Sequence, residues 1–422
     1  MFKITHILKY YKNFNYLKTA KRKFLAPAYH CNEVWESRLN QPIFKKINVE
    51  ELYYELDSKY QKTKSISFID VDIFVNAIKD DSFDDEMLDL VHKLRLSSET
   101  CRSLPSMSYA VIKLLLAHNK IDDIHTILED RLNYGIFLDT HITNILLDYF
   151  WKKKDFVSGT RIASHLMFQE EDEHDVAFSL GLLHCFNCLL HKGEWPQPPL
   201  PEEPEEEIKI RVNYIRNDYN DNHFDLRDCK KIIGKTLIHL TKGKNDSLNT
   251  SFSILGHSLF GSVDKAENLL NSSKDKLPLV KEILELIPDN IEIKNKVDGI
   301  KLDSKDVNVE LESFVKNAIN KSSESDISLQ CEHFKQWEQK RLECIKEKEE
   351  ILSKIERMKH IEALQKDLKE KETKLWFFEN EEKIELEILE KEELKALEMV
   401  DNVKHKVKKN IDEEYIPPTI RS

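Results

Sequence analysis

The stretch from Tyr109 to Met167 matches itself when shifted by 35 residues, and that self-match limits the folds open to the chain. Val111 falls on Leu146, Ile112 on Leu147, Leu115 on Phe150, Leu116 on Trp151, Ile127 on Ile162 and Leu132 on Met167. The polar turns coincide as well, Asn119-Lys120 with Lys154-Asp155. Within each copy the apolar residues recur at helical spacing, so each copy reads as a helical hairpin. Hairpins of this period bury their faces only by stacking, which predicts an all-α fold built on an α-solenoid. Solenoids bind along a groove rather than in a pocket, so the pattern points to a binding or assembly protein.

Composition agrees with helix. A third of the residues are charged, and 422 residues include only 9 Gly and 12 Pro. Alternating strand patterns are scarce, and Ser65 to Val71 is the one short candidate. No apolar run reaches the length of a membrane span. Seven irregularly spaced cysteines suggest a reducing compartment rather than a disulfide framework. The net charge of −12 argues against nucleic acid only on average. Acid is concentrated in Glu202 to Glu207 and in the C-terminal third, while the N-terminus is basic.

Residues 1–30 carry Lys3, Lys9, Lys12, Lys18, Lys21, Arg22 and Lys23, with no Asp or Glu before Glu33. Ile4, Ile7, Leu8, Tyr11 and Phe14 can share one helical face, so the segment reads as a mitochondrial transit peptide or a basic arm. Residues 31–195 read as helical repeats. Pro105 suits a first helical turn, Gly135 a left-handed turn, and Asp139 or Thr140 a helix cap. From Trp195 to Glu207 five prolines and five glutamates form a linker, assigned to 196–210. Residues 211–300 return to helical spacing around Phe252, Leu255 and Leu270.

Residues 301–328 are Ser/Asp/Lys-rich and predict a polar linker with one short helix around Val309 to Ile319. No Gly or Pro occurs between Gly299 and Pro417, and half of the residues from Cys331 to Val400 are charged. That composition predicts a long charged helix or coiled coil over 329–412, with a tail at 413–422. Its apolar seam of Ile351, Ile355, Met358, Leu364, Leu368, Leu375 and Phe378 is too uneven for a regular heptad. Trp376-Phe377-Phe378 is a bulky anchor in that polar helix and a candidate for packing on a partner.

Chemistry is harder to find. His184-Cys185-Phe-Asn-Cys188-Leu-Leu-His191 has metal-binding residue types but no second ligand pair, so packing is the expected role. Neither nucleotide-binding glycine pattern occurs, nor Gly-x-Ser-x-Gly, nor His-Glu-x-x-His. No catalytic residue, cofactor, metal or small-molecule substrate is expected. Lys152, Lys153 and Lys154 close a helix, where cations suit the dipole, and are equally placed to meet phosphates.

From Tyr134 to Phe156 the chain resembles the pentatricopeptide-repeat family. Gly135, Leu138-Asp139, Ile142-Thr143-Asn144, Leu146-Leu147 and Lys152 to Lys154 follow that family's order. Asn144 stands at the position that faces a base in RNA-reading members. Leu138 replaces the family's proline, and Tyr109 takes the Asn144 position one repeat earlier. Tyr134 to Asp139, Asn144 to Asp148, Lys153-Lys154 and Met167 to Glu170 are similar to a narrower family, mitochondrial small-subunit ribosomal proteins of pentatricopeptide type. Further echoes are Ala28-Tyr29, Trp35 to Arg38, His184-Cys185, Leu255-Gly256, Gly261 and Gln336-Trp337. The resemblance implies a matrix protein that contacts small-subunit ribosomal RNA and neighbouring ribosomal proteins. A free mitochondrial RNA-binding factor and a protein-only helical scaffold remain alternatives.

Overall fold

The computed structural model describes residues 24–171, 174–196, 226–273, 278–288 and 302–411. The basic arm through Lys23, the Pro/Glu linker from Gln197 and the tail from 413 lie outside the described residues. Chain contacts divide the protein into a unit through Leu342 and a unit from Glu343 onward.

The first unit is helical almost throughout. Its main helices are α1 (Val49–Thr63), α2 (Phe68–Ala77), α3 (Asp84–Leu96), α4 (Pro105–Ala117), α5 (Ile121–Glu129), α6 (Thr140–Lys153), α7 (Phe156–Phe168), α8 (Asp175–Leu190), α9 (Cys229–Leu240), α10 (Ser247–Phe260) and α11 (Val263–Ser273). Helix α12 (Val307–Glu379) begins here. Among the described residues the only strands are two dipeptides, Leu279–Val280 and Leu302–Asp303, paired in parallel. Ser65 to Val71 is not a strand: α2 starts at Phe68, with Phe68, Ile69, Val71, Phe74 and Val75 buried. An apolar run buried on all sides has no period to tell strand from helix.

The period seen in the sequence sets the helix starts. Pro105, Thr140 and Asp175 begin α4, α6 and α8 at intervals of 35 residues, as Ile121 and Phe156 do for α5 and α7. The turns repeat in backbone conformation even where residue types differ. Asn119 and Lys154 are both left-handed, with φ of 60° and 58°, as are Gly135 and Glu170, with φ of 64° and 50°. A Cβ at 135 would also lie 2.9 Å from Arg95 Cδ, so a larger residue there would have to displace the Arg95 side chain. Asp139 is the cap of α6, its Oδ1 accepting from Ile142 N at 2.7 Å, an interaction worth about 1 kcal/mol.

Helices α2, α4, α6 and α8 touch in succession, and α5 and α7 pack against the helices that precede them. Phe74, Ile112, Phe150 and Phe186 fill the space between them, fully buried. Beyond α8, α9 and α10 cross where two glycines meet. A Cβ on Gly234 would lie 2.8 Å from Gly256 O, and one on Gly256 2.8 Å from Gly234 O.

The region from 301 to 328 departs from expectation. It is helical from Val307 without interruption, not a linker with one short helix. Val307, Leu311, Val315 and Ala318 bury an apolar stripe that the Ser and Asp content conceals. In the second unit, the remainder of α12 and α13 (Glu381–Ile411) are separated at Asn380, whose Nδ2 donates to Trp376 O at 3.0 Å.

Candidate RNA and partner surfaces

Asn144 lies mid-way along α6 and has no exposed surface. Its Nδ2 donates to the Tyr29 hydroxyl at 2.8 Å. Tyr29, also buried, stacks on His141 with ring centroids 5.0 Å apart and donates its own proton to Asp326 Oδ2 at 2.9 Å. His141 Nε2 donates to Tyr29 O at 2.8 Å. The stretch Phe24–Asn40 thus lies on the face that Asn144 marks. Asn144 is a hydrogen-bonding group within the fold and is not open to a base, contrary to what the family position implies.

The same face is occupied along its length by the start of α12. Asn187 Nδ2 donates to Asn308 Oδ1 at 2.9 Å, and Lys321 pairs with Asp175 at 2.7 Å. Asp326 receives Tyr29, and the rings of Phe334 and Trp337 each sit 5.4 Å from Tyr109. Arg341 Nε donates to Asp72 Oδ2 at 2.6 Å, with both side chains almost fully buried. Positions 308 to 341 therefore meet α8, the Tyr29 that lies against α6, then α4 and α2, in reverse order.

The three candidate lysines stay at the surface but differ. Lys152 Nζ lies 2.5 Å from Asp148 Oδ2. Lys153 donates to Asn119 Oδ1 at 2.7 Å and stands over the Tyr149 ring, 4.5 Å from its centroid. Lys154 caps α6 in the left-handed conformation and is exposed. Lys120, one repeat earlier, pairs with the buried Asp84 at 3.2 Å. Lysines thus stand at the α4–α5 turn and at the end of α6, Lys120 and Lys152 each paired with an aspartate.

A sequence profile of the family described as mitochondrial 28S ribosomal protein S27 matches residues 3–370. The chain belongs to this family. The S27 match covers the basic N-terminus, the whole first unit and much of α12, and ends before Trp376.

Trp376, Phe377 and Phe378 are therefore outside the S27 match, in the second unit, with 58%, 45% and 68% of their surface exposed. The His/Cys segment lies in α8 as packing. Cys185 and Cys188 are buried, and His184 Nε2 donates to Leu147 O at 2.8 Å. Among the described residues no three His, Cys, Asp or Glu side chains gather as metal ligands, and no helix is long and apolar enough to cross a membrane.

Sequence reasoning missed Tyr29, because the acid-free run suggested a basic arm as far as residue 30. The signals available were Phe24, Leu25 and Pro27, which break the lysine pattern. Phe24 packs on Trp151 with centroids 5.5 Å apart, and Leu25 N donates to Asp148 Oδ1 at 3.1 Å.

Proposed function

We propose that this S27-family chain is a structural component of the small subunit of the mitochondrial ribosome, acting in the matrix and docking on ribosomal RNA and neighbouring ribosomal proteins. The family match over residues 3–370 carries the reading. Helix starts 35 residues apart and recurring left-handed turns support an α-solenoid of pentatricopeptide-like pairs.

Tyr29 and α12 take up the face that a base-reading member would use, so the RNA contact is assigned to the turns. There Lys152, Lys153 and Lys154 would meet phosphates, which position a protein without reading sequence. That makes a free sequence-specific RNA factor the weaker alternative. Trp376, Phe377 and Phe378, exposed on a charged helix, suit a neighbouring protein, since aromatic anchors dominate such contacts. The basic N-terminal segment serves as the import sequence.

The test is sedimentation of the tagged protein from lysed mitochondria, with and without magnesium chelation. Co-migration with the small subunit at moderate salt supports the proposal. Recovery only in light fractions, with the small subunit intact elsewhere, rejects it, and RNA crosslinking then separates a free factor from a protein scaffold.

A further inference from the structure

The second unit carries an exposed apolar seam. Asn380 N donates to Trp376 O at 3.2 Å, and Ile384 N donates to Asn380 O at 3.0 Å. These bonds carry the helical ladder through the break, so α13 extends α12 rather than folding back along it. Across that junction the apolar residues keep a seven-residue repeat. Ile351, Met358, Leu386 and Val400 share one position of it, and Ile361, Leu368, Leu375, Leu389, Ala396 and Val403 share the position three residues later. Apart from Ala396, these side chains are 48% to 63% exposed. Ile355, Leu364 and Phe378, which make the seam of α12 uneven, fall on the flanks of the repeat.

The charge along the same helix is divided. From Lys354 to Lys374 seven Lys and Arg stand with five acids, and from Glu379 to Glu393 eight Glu stand with two Lys. A second copy running in the opposite direction lays each half on the other. With the two-fold axis between Thr373 and Lys374, Ile361 meets Leu386, Met358 meets Leu389 and Ile351 meets Ala396. Lys354, the one lysine in the seam from Ile351 to Val403, meets Glu393. On the flanks Arg357 meets Glu392, Glu362 meets Lys383, and Lys369 meets the Trp376 ring, a cation–π partner. A parallel pair would set Lys354 on Lys354 and Glu393 on Glu393. Glu372, Glu379 and Glu382 interrupt the seam near the axis, and polar residues there fix the register at a cost in stability.

We propose that residues 351–396 are a self-recognition helix, through which two copies of the chain pair as an antiparallel coiled coil. The pairing spans about 70 Å of helix, well beyond the roughly three to four heptads that a coiled coil sustains. It gives a burial partner to a helix that cannot bury a face alone. Phe377 falls on the outer position of the repeat and stays open to the neighbouring protein proposed above. The pairing rests on the second unit alone, so it holds or fails independently of the ribosomal reading.

The test is sedimentation equilibrium of the purified full-length protein across micromolar concentrations, and the expected mass is twice that of one chain. Lys354→Glu sets acid against acid at both ends of the pairing and should weaken association by about tenfold or more. Adding Glu393→Lys restores opposite charges in the antiparallel register and should recover the parent's dissociation constant. Lys354 and Glu393 are both exposed and lie outside the first unit, whose thermal unfolding is the control for folding. A chain that keeps the mass of one copy overturns the inference and leaves the seam to a different protein. So does a dimer that Lys354→Glu leaves unchanged, or one that the double variant fails to restore.

Discussion

The Tyr29 hydroxyl accepts a 2.8 Å hydrogen bond from Asn144 and donates a 2.9 Å hydrogen bond to Asp326. One phenol thereby links α6, α12 and the N-terminal segment at the position where a base would be read. Asn144→Ala leaves the Tyr29 oxygen short of a donor inside the fold, which costs about 1–3 kcal/mol. The expected result is a lower urea midpoint with no change in the sequence preference of bound RNA. A preserved midpoint together with altered RNA preference would show that Asn144 meets a base after all.

The ion pair of Arg341 with Asp72 is almost fully buried and joins α12 to α2. The Ser106 hydroxyl also donates to the Asp72 carboxylate, and Asn76 Nδ2 donates to Asp72 Oδ1 at 3.2 Å, so the carboxylate is well satisfied. Arg341→Met strands that carboxylate and should destabilise the fold by about 3–5 kcal/mol. Adding Asp72→Asn should recover most of the loss, and a double mutant as unstable as the single one would contradict the ion-pair account.

Gly256 lets α10 approach α9 to backbone contact. Gly256→Ala puts a Cβ within 2.8 Å of Gly234 O, a carbonyl that cannot move aside as a flexible side chain would. Overpacking of this kind costs about 1–3 kcal/mol, so the thermal midpoint should fall by several degrees. An unchanged midpoint would mean that the two helices separate easily.

If the α6–α7 turn holds phosphate, Lys154→Glu and Lys153→Glu should weaken RNA binding uniformly across sequences. Each loss should reduce the slope of log affinity against log salt by about 1. Lys154, exposed at the helix end, should respond more than Lys152, which is paired with Asp148. Equal salt slopes for the two variants and the parent protein would move the RNA contact elsewhere.

The fold was legible where periodicity and turn chemistry agreed. The 35-residue shift located α4 to α7, and Asn119-Lys120 over Lys154-Asp155 located turns that share a backbone conformation. The candidate site was less legible. Position 144 was recognisable from its neighbours, but what covers it comes from residues 29 and 326, more than 100 positions away on either side. Local patterns carry no information about such pairings. The start of α12 was hidden for a related reason, since four apolar residues among Ser, Asp and Lys make a narrow stripe that resembles linker composition.

The buried histidines should govern behaviour in acid. Burial lowers His125, His141 and His184 to about 4 and His165 to about 3. Each binds a proton in the unfolded chain near pH 6.5 but not in the fold, so stability is lost as pH falls from 6.5 toward 4. Asp139 opposes this trend. Burial raises it to about 6, so it takes up a proton in the fold first and adds stability as pH falls toward the ordinary carboxylate range. His30, lowered to about 4, adds to the four histidines, and together they outweigh Asp139 and Asp148, whose carboxyls burial raises, so the net effect is a loss of stability as pH falls through 5. Urea titrations at pH 7, 6 and 5 should show the midpoint dropping with increasing steepness. His141 accounts for part of that drop, because its neutral form donates from Nε2 to Tyr29 O and accepts at Nδ1 from the Tyr109 hydroxyl at 3.3 Å. His141→Gln should therefore lower stability at pH 7 yet flatten the acid slope by about one histidine's share. A variant with the parent's slope would show that His141 is reached by protons without unfolding, and hence that the N-terminal segment lifts from α6 in the native state.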